Sequence, residues 1–259
     1  MMFKQKFLEQ IKLGVTCTNS YEFSEQVLNR LKQKEVLINS QSKGLFFAEN
    51  TSYDFCRLYF YIQDISQIGW NFFRDVPLVT EIVVRNSKKE LWDSTIKTFQ
   101  NKGNFKVYDT FNRMFRDRID MDVSGIDFSI IQTAQKQDLP IVKKLLEENF
   151  DAYSDRIPSL KELEKLAKTI FLIKENSKIV AFFITERKGF TLEFRYWLVL
   201  EAYRGKRYGG LLMKRVLTFD PKIKRFISWI NVDLEYSLTV HKRLGFKNDG
   251  LINYVLHRK

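Results

Sequence analysis

Tyr203-Arg204-Gly205-Lys206-Arg207-Tyr208-Gly209-Gly210 stands between an apolar run and a helical pattern. Upstream, residues 191–200 read as a strand; downstream, Leu211, Leu212, Val216 and Leu217 give residues 209–217 an apolar helical face. A helix N-terminus presents unpaired N–H groups and the positive end of the macrodipole, which suits an anion. Glycines let a phosphate approach the backbone closely, and Arg204, Lys206 and Arg207 add three cations within four residues. A pyrophosphate is the natural guest of such a turn. A solvated basic loop ahead of an ordinary helix has the same composition, so the stretch alone leaves both readings open.

The elements around this turn follow in a definite order. Residues 128–133 read as a strand. A helix over 136–150 opens with Asp138 as its cap and Pro140 in the first turn, where the missing N–H costs nothing. A second helix, over 159–168, starts from Ser159 with Glu162 three residues on, a capping box. Strands at 170–174, 178–186 and 191–200 lead to the basic turn. After it come the helix 209–217, a strand at 225–232, a helix at 234–244 and a last strand at 252–257. The pattern is that of a mixed α+β sheet, with one strand passing into a helix through a basic, glycine-bearing turn.

Here the sequence resembles the GNAT superfamily of acetyl-CoA-dependent N-acyltransferases. The family signature Arg/Gln-x-x-Gly-x-Gly/Ala is similar to Arg204-Gly205-Lys206-Arg207-Tyr208-Gly209, with Val199-Leu200-Glu201-Ala202-Tyr203 as its lead-in. Arg207 stands where the first signature glycine is usual. Downstream, Asn231, Ser237 and His241-Lys242-Arg243-Leu244-Gly245-Phe246 resemble the family's Asn, Ser and Tyr-x-x-Leu-Gly-Phe, with His241 in place of the tyrosine. The likeness runs from about residue 128 to the C-terminus.

The resemblance implies a mostly antiparallel sheet flanked by helices, and acetyl-CoA or another acyl-CoA as cofactor. It implies that the strand end Leu198, Val199 and Leu200 pairs with the pantetheine arm. The N–H groups of Arg204, Gly205, Lys206, Arg207, Tyr208, Gly209 and Gly210 would hold the pyrophosphate, with Asn231 and Ser237 also at the cofactor. A primary amine would attack the thioester directly, and a backbone N–H near Val199 would steady the oxyanion. His241 would protonate the departing thiolate, since an imidazolium near neutral pH is a competent acid. Glu193, or Glu186, would serve as base. Each has a plain alternative: His241 as a packed helix residue, the glutamates as solvated strand residues, Asn231 as a strand-end cap.

The N-terminal half is read from its residues alone. Apolar spacing predicts helices over 3–13 and 21–34, the second capped by Ser20. Strands at 44–48 and 55–62 form a hairpin about Asn50-Thr51-Ser52, and a further strand covers 78–85. A helix over 88–100 is ended by Asn101-Lys102-Gly103, with a residue able to take φ > 0, and a strand covers 105–115. Residues 116–127 are the linker, dividing the chain into an α/β module at 1–122 and the acyltransferase domain at 123–259. Strand–helix–strand over 78–115 echoes 191–232, but Arg85-Asn86-Ser87-Lys88-Lys89 lacks glycine. A second acyltransferase-like module here would have lost its cofactor site, leaving it to shape the substrate pocket, complete the sheet or form a homodimer. Its aromatics (Phe46, Phe47, Phe60, Trp70 and Phe72 among them) read as core rather than as a stacking surface.

Composition narrows the partners. With 44% hydrophobic and 29% charged residues, the 259-residue chain is of globular type. Its net charge of +12 suits a polyanion, yet Lys and Arg are spread along the chain rather than gathered in one patch, which favours a phosphate-rich cofactor over nucleic acid. Cys17 and Cys56 form no disulfide framework or zinc motif, and His241 and His257 are too few for a metal site. No signal-peptide core or 18-residue apolar run is present, so the expectation is a cytoplasmic protein without a membrane span. The acceptor would be a small-molecule or peptide amine. The alternative function is a non-catalytic acyl-CoA sensor or a basic nucleic-acid-associated module.

Overall fold

The computed structural model describes residues 14, 16–19 and 36–259; the helices expected at 3–13 and 21–34 lie outside them. The chain forms two compact units, Met1–Phe111 with Gly250–Lys259, and Asn112–Asp249. The sequence reading divides the chain at 122/123. By contact the division falls earlier, and the last ten residues return to the first unit. No linear pattern reports that return, because it is a long-range strand pairing.

The first unit contains β1 (Cys17–Thr18), β2 (Val36–Gln41), β3 (Gly44–Asn50), β4 (Cys56–Ile62), β5 (Leu78–Arg85), helix α1 (Lys89–Gly103) and the start of β6 (Lys106–Asp117). The order is β2-β3-β4-β5, then β12 (Lys247–Arg258), then β6. The expected hairpin is present, β3 and β4 running antiparallel from Gly44↔Ile62 to Asn50↔Cys56. β4 and β5 are parallel and pair only at Cys56↔Leu78 and Arg57↔Val79. The aromatics are core: Phe46, Phe60, Phe72, Phe99 and Phe105 are buried, with Phe46 and Phe72 stacked 4.2 Å apart. The helix stop differs from expectation. Gly103 is the last helical residue, and the left-handed residue is Asn104, at φ 57°. Glycine is required at 103 for space, since a Cβ there would lie 2.6 Å from the Trp70 ring.

The second unit continues with β7 (Ile131–Thr133), α2 (Leu139–Asn149), α3 (Leu160–Leu166), β8 (Ile170–Glu175), β9 (Lys178–Lys188), β10 (Thr191–Val199), α4 (Tyr208–Thr218), β11 (Arg225–Asn231) and α5 (Glu235–Arg243). From the end of β6 the strands run β6-β11-β10-β9-β8-β7. Along β10-β9-β8-β7 the pairing is antiparallel, and between β10 and β11 it is parallel. The strand expected at 128–133 shrinks to its last three residues. Asp127 Oδ1 accepts from Ser129 N–H at 2.8 Å and Ile131 N–H donates to Phe128 O, so the preceding residues turn instead.

The two helix starts differ. Ser159 and Glu162 make the predicted reciprocal box ahead of α3. Asp138 stands at the α2 N-cap position without a side-chain cap bond there; its carboxylate accepts from Gln135 N–H at 2.9 Å and from Lys174 Nζ at 2.7 Å. A single turn of 3-10 helix before α2 moves the cap back to Gln135.

Two apolar cores flank the sheet of this unit. One includes Leu212, Met213, Val216 and Leu217 of α4 with Leu192 and Phe194. The other includes Leu139, Val142 and Leu146 of α2, Leu163 of α3 and Tyr196. Among the described residues no helix is long and apolar enough to cross a membrane.

Candidate functional site

β10 and β11 begin as partners and then part. They pair from Thr191↔Arg225 to Phe194↔Ser228, and no pairing follows. The β10 register on β9 shifts between Phe194 and Tyr196, a bulge that re-aims the side chains beyond it. Leu192 and Phe194 belong to the core under α4; after the bulge Trp197 and Val199 pack on that side, while Tyr196 and Leu198 pack on the α2/α3 side. Leu200 N–H donates to Val180 O on β9. By antiparallel alternation Leu198 also turns its backbone groups to β9, and those of Trp197 and Val199 point into the gap. Of the strand-end residues expected at the cofactor, Val199 offers its backbone there, and Leu198 and Leu200 do not.

The basic turn closes this gap. Gly205 and Arg207 both have left-handed backbone, at φ 85° and 64°, and Arg207 is the N-cap of α4, with no side-chain cap bond. Arg207 therefore adopts the conformation that glycine takes freely, at a cost on the order of 1–2 kcal/mol. The first N–H groups of α4 stay without side-chain partners at the cap. Arg204 and Arg207 are exposed and carry no ion pair among the described residues. Lys206 is committed elsewhere. Glu175 accepts from its Nζ at 2.8 and 2.9 Å and from the Tyr208 hydroxyl, and the ammonium lies 5.1 Å from the Tyr203 ring centroid. The Glu175 hydrogen bond raises the pKa of Lys206, and the bonds from Lys206 and Tyr208 lower that of Glu175. Gly209 passes close over Trp197, where a Cβ would meet the indole at 3.1 Å.

His241 is 3% exposed, among Phe194, Trp197 and Phe246, whose ring centroids lie 6.4, 6.1 and 5.1 Å away. Its Nδ1 lies 2.9 Å from Ser237 O. A carbonyl only accepts, so Nδ1 carries the proton and Nε2 of the neutral ring keeps its lone pair. Burial lowers the pKa of His241 more than the Ser237 bond raises it. The resting ring is thus a proton acceptor at Nε2, not the imidazolium acid of the sequence reading. Both His241 Nε2 and Trp197 Nε1 are buried without a hydrogen-bond partner. Buried polar atoms are rarely left so, and this donor and acceptor belong to neighbouring rings, Trp197 on β10 and His241 on α5, with centroids 6.1 Å apart.

The carboxylates have a different character. Glu193 is 5% exposed and opposite Glu186 in the β9–β10 register. Lys188 Nζ donates to it at 2.5 Å and Arg195 Nη1 at 3.2 Å. Burial by itself raises the pKa of Glu193, but the charges of Arg195 and Lys188 outweigh it and the net shift is downward. Glu186 faces the same cations at 3.8 and 3.9 Å. Asn231 Oδ1 accepts from Asp233 N–H at 2.9 Å, the strand-end cap of the plain reading. Ser237 enters through its carbonyl, on His241. Sequence reasoning missed Trp197, Glu175 and Arg195. Trp197 and Arg195 had usable signals, two residues before Val199 and two after Glu193 on the strand; Glu175 acts through Lys206 and Tyr208, 31 and 33 residues on.

An acyl-CoA fits this arrangement: a strand edge with free backbone groups, two orphaned ring nitrogens, and a helix N-terminus with two unpaired arginines. Comparison with known proteins agrees. Residues 137–246 match the acetyltransferase (GNAT) family, whose members use acyl-CoA and act on amine acceptors. No curated protein matches the sequence. Among solved structures, a GCN5-related N-acetyltransferase from Sphaerobacter thermophilus has TM-score 0.60 at 14% identity, covering 92% of this chain and 86% of its own. A tandem GNAT protein from the clavulanic acid biosynthesis pathway has TM-score 0.60 at 11% identity, with coverage of 98% and 94%. A GNAT-family acetyltransferase from Colwellia psychrerythraea gives 0.54 at 12% identity, with 99% and 96% covered. Identities this low establish a shared fold. The chain thus carries, at residues 137–246, a stretch that matches the acetyltransferase (GNAT) family, within a fold shared with GNAT acetyltransferases.

Proposed function

We propose that this protein transfers an acetyl group from acetyl-CoA to the primary amine of a small-molecule or peptide acceptor, by direct attack of the amine. The observation that carries the reading is the gap between β10 and β11, together with His241 Nε2 and Trp197 Nε1 on neighbouring rings, both buried without partners. Bound acetyl-CoA supplies the thioester; the remaining roles belong to the chain. Trp197 and Val199 offer backbone groups to the arm, and the α4 N-terminus with Arg204 and Arg207 receives the pyrophosphate. His241 Nε2 takes up a proton and gives it back within the cycle, a role its tautomer suits. Glu193 anchors Arg195 and Lys188 rather than acting as base, because the two cations lower its pKa and so disfavour its taking up a proton. The first unit is a GNAT-like module without a cofactor of its own, and the cytoplasm is the proposed location.

CoA is expected to raise the melting temperature, since a ligand bound only by the folded state stabilises it. Acetyl-CoA with a panel of amines is expected to release free thiol. His241→Ala should slow turnover on the order of 100-fold while keeping the CoA-induced shift. Absence of any shift with CoA would sink the cofactor assignment. A shift without turnover on any amine would make the protein a sensor.

A further inference from the structure

Strand pairing matches the two units in a register other than the expected echo of 78–115 with 191–232: β4 and β5, not β5 and β6, have the geometry of β10 and β11. β4 and β5 run parallel, pair at Cys56↔Leu78 and Arg57↔Val79, and then part, as β10 and β11 do after Phe194↔Ser228. In the second unit no described strand pairs into the gap beyond. In the first it is filled. Thr16 N–H donates to Ile62 O at 2.9 Å. Cys17 and Thr18 pair antiparallel with Ile62 and Tyr61, and Thr18 Oγ1 donates to Phe60 O at 2.8 Å.

Asn19 then uses its side-chain amide as a further rung. Its Oδ1 accepts from Phe60 N–H at 2.9 Å, and its Nδ2 donates to Leu58 O at 2.9 Å and to Thr80 Oγ1 at 2.8 Å. Thr80, on β5, in turn donates to Leu58 O at 2.9 Å. Leu58 O, Phe60 N–H, Phe60 O and Ile62 O are thereby satisfied, and Asn19 and Thr80 bridge the parted strands. Cys17 is 7% exposed, inside the aromatic core of this unit.

We infer that Thr16–Asn19 is an intramolecular stand-in for a pantetheine arm: the chain fills its own first cofactor slot, so each chain takes up a single acyl-CoA. This rests on the reading that the second unit's gap receives that arm. A pantetheine arm offers a strand edge spaced amide N–H and C=O groups; Thr16–Asn19 offers backbone N–H, hydroxyl and side-chain amide in their place. Being covalently attached, it acts at an effective concentration in the millimolar range that a free ligand must exceed. Ligand entry would also leave Leu58 O, Phe60 O and Ile62 O to be paired anew inside a buried core.

Two measurements on the full chain test this. Calorimetric titration with CoA should give one equivalent per chain, abolished by Gly209→Trp in the second unit; two equivalents would overturn the inference. Hydrogen exchange read at the Phe60 amide should be protected in the wild type and about tenfold faster in Asn19→Ala, the effect of one lost hydrogen bond. The Phe105 amide, which donates to Phe99 O in the same unit, should exchange alike in both proteins, which separates loss of the bond from general unfolding. An unprotected Phe60 amide in the wild type, or equal protection of Phe60 in both proteins, would also overturn it. Zero equivalents of CoA would sink the reading of the second unit, and the exchange comparison would still decide whether the first slot is filled.

Discussion

Arg207 shows how one residue both disguises and marks the site. At φ 64° it holds a backbone state that glycine adopts freely, so the departure from the family signature costs local strain rather than geometry. Arg207→Gly should relieve that strain and stabilise the fold by about 1 kcal/mol, read as a rise in melting temperature. The same variant should weaken CoA binding by removing an unpaired cation. An unchanged CoA affinity would show that the Arg207 side chain does not touch the cofactor. His241 makes a second residue-scale prediction. Its folded pKa lies below the ordinary 6.5, so the unfolded chain binds the proton more readily. The stability it contributes is present above pH 6.5 and is lost as pH falls through the folded pKa. His241→Gln should therefore show a shallower loss of stability between neutral and acidic pH than the wild type. A parallel decline in both proteins would contradict the buried neutral ring.

At the scale of elements, register and caps decide what each segment presents. The bulge in β10 turns Trp197 and Val199 toward the α4 side; an unbroken alternation would have put Tyr196 and Leu198 there. Helix α3 is short, at seven residues, too short to hold itself without tertiary packing. Its capping box satisfies two of the N–H groups at its start, Ser159 Oγ accepting from Glu162 N–H and Glu162 Oε2 from Ser159 N–H. Ser159→Ala should cost about 1 kcal/mol, detectable as a lower denaturation midpoint with an unchanged slope. No change at all would mean that packing on Leu163 alone fixes the helix.

Over the whole molecule, charge rather than any single contact governs encounter with an anionic cofactor. The net charge of +12 creates a field that steers anions and is screened over about 8 Å at physiological salt. CoA association should slow as salt rises, while dissociation changes less. A rate of association indifferent to salt would confine the electrostatics to the turn itself. The described residues also divide their apolar surface between separate cores, two in the first unit and two about the sheet of the second.

The sequence by itself determined the elements of the second unit, most of their ends, and the place of the basic turn, because helical period, capping boxes and glycines act over a few residues. The Ser159 box and the α4 start at Tyr208 are local in this sense. Only the tertiary structure decided the rest. The return of residues 250–259 to the first unit, the hold of Glu175 on Lys206 and Tyr208, the packing of His241 against Phe194 and Trp197, and the strand Cys17–Thr18 in the first gap all depend on distance in space. Hydrogen bonds and charge pairs act over a few ångströms of space whatever their separation along the chain, so their partners are named only once the chain has folded.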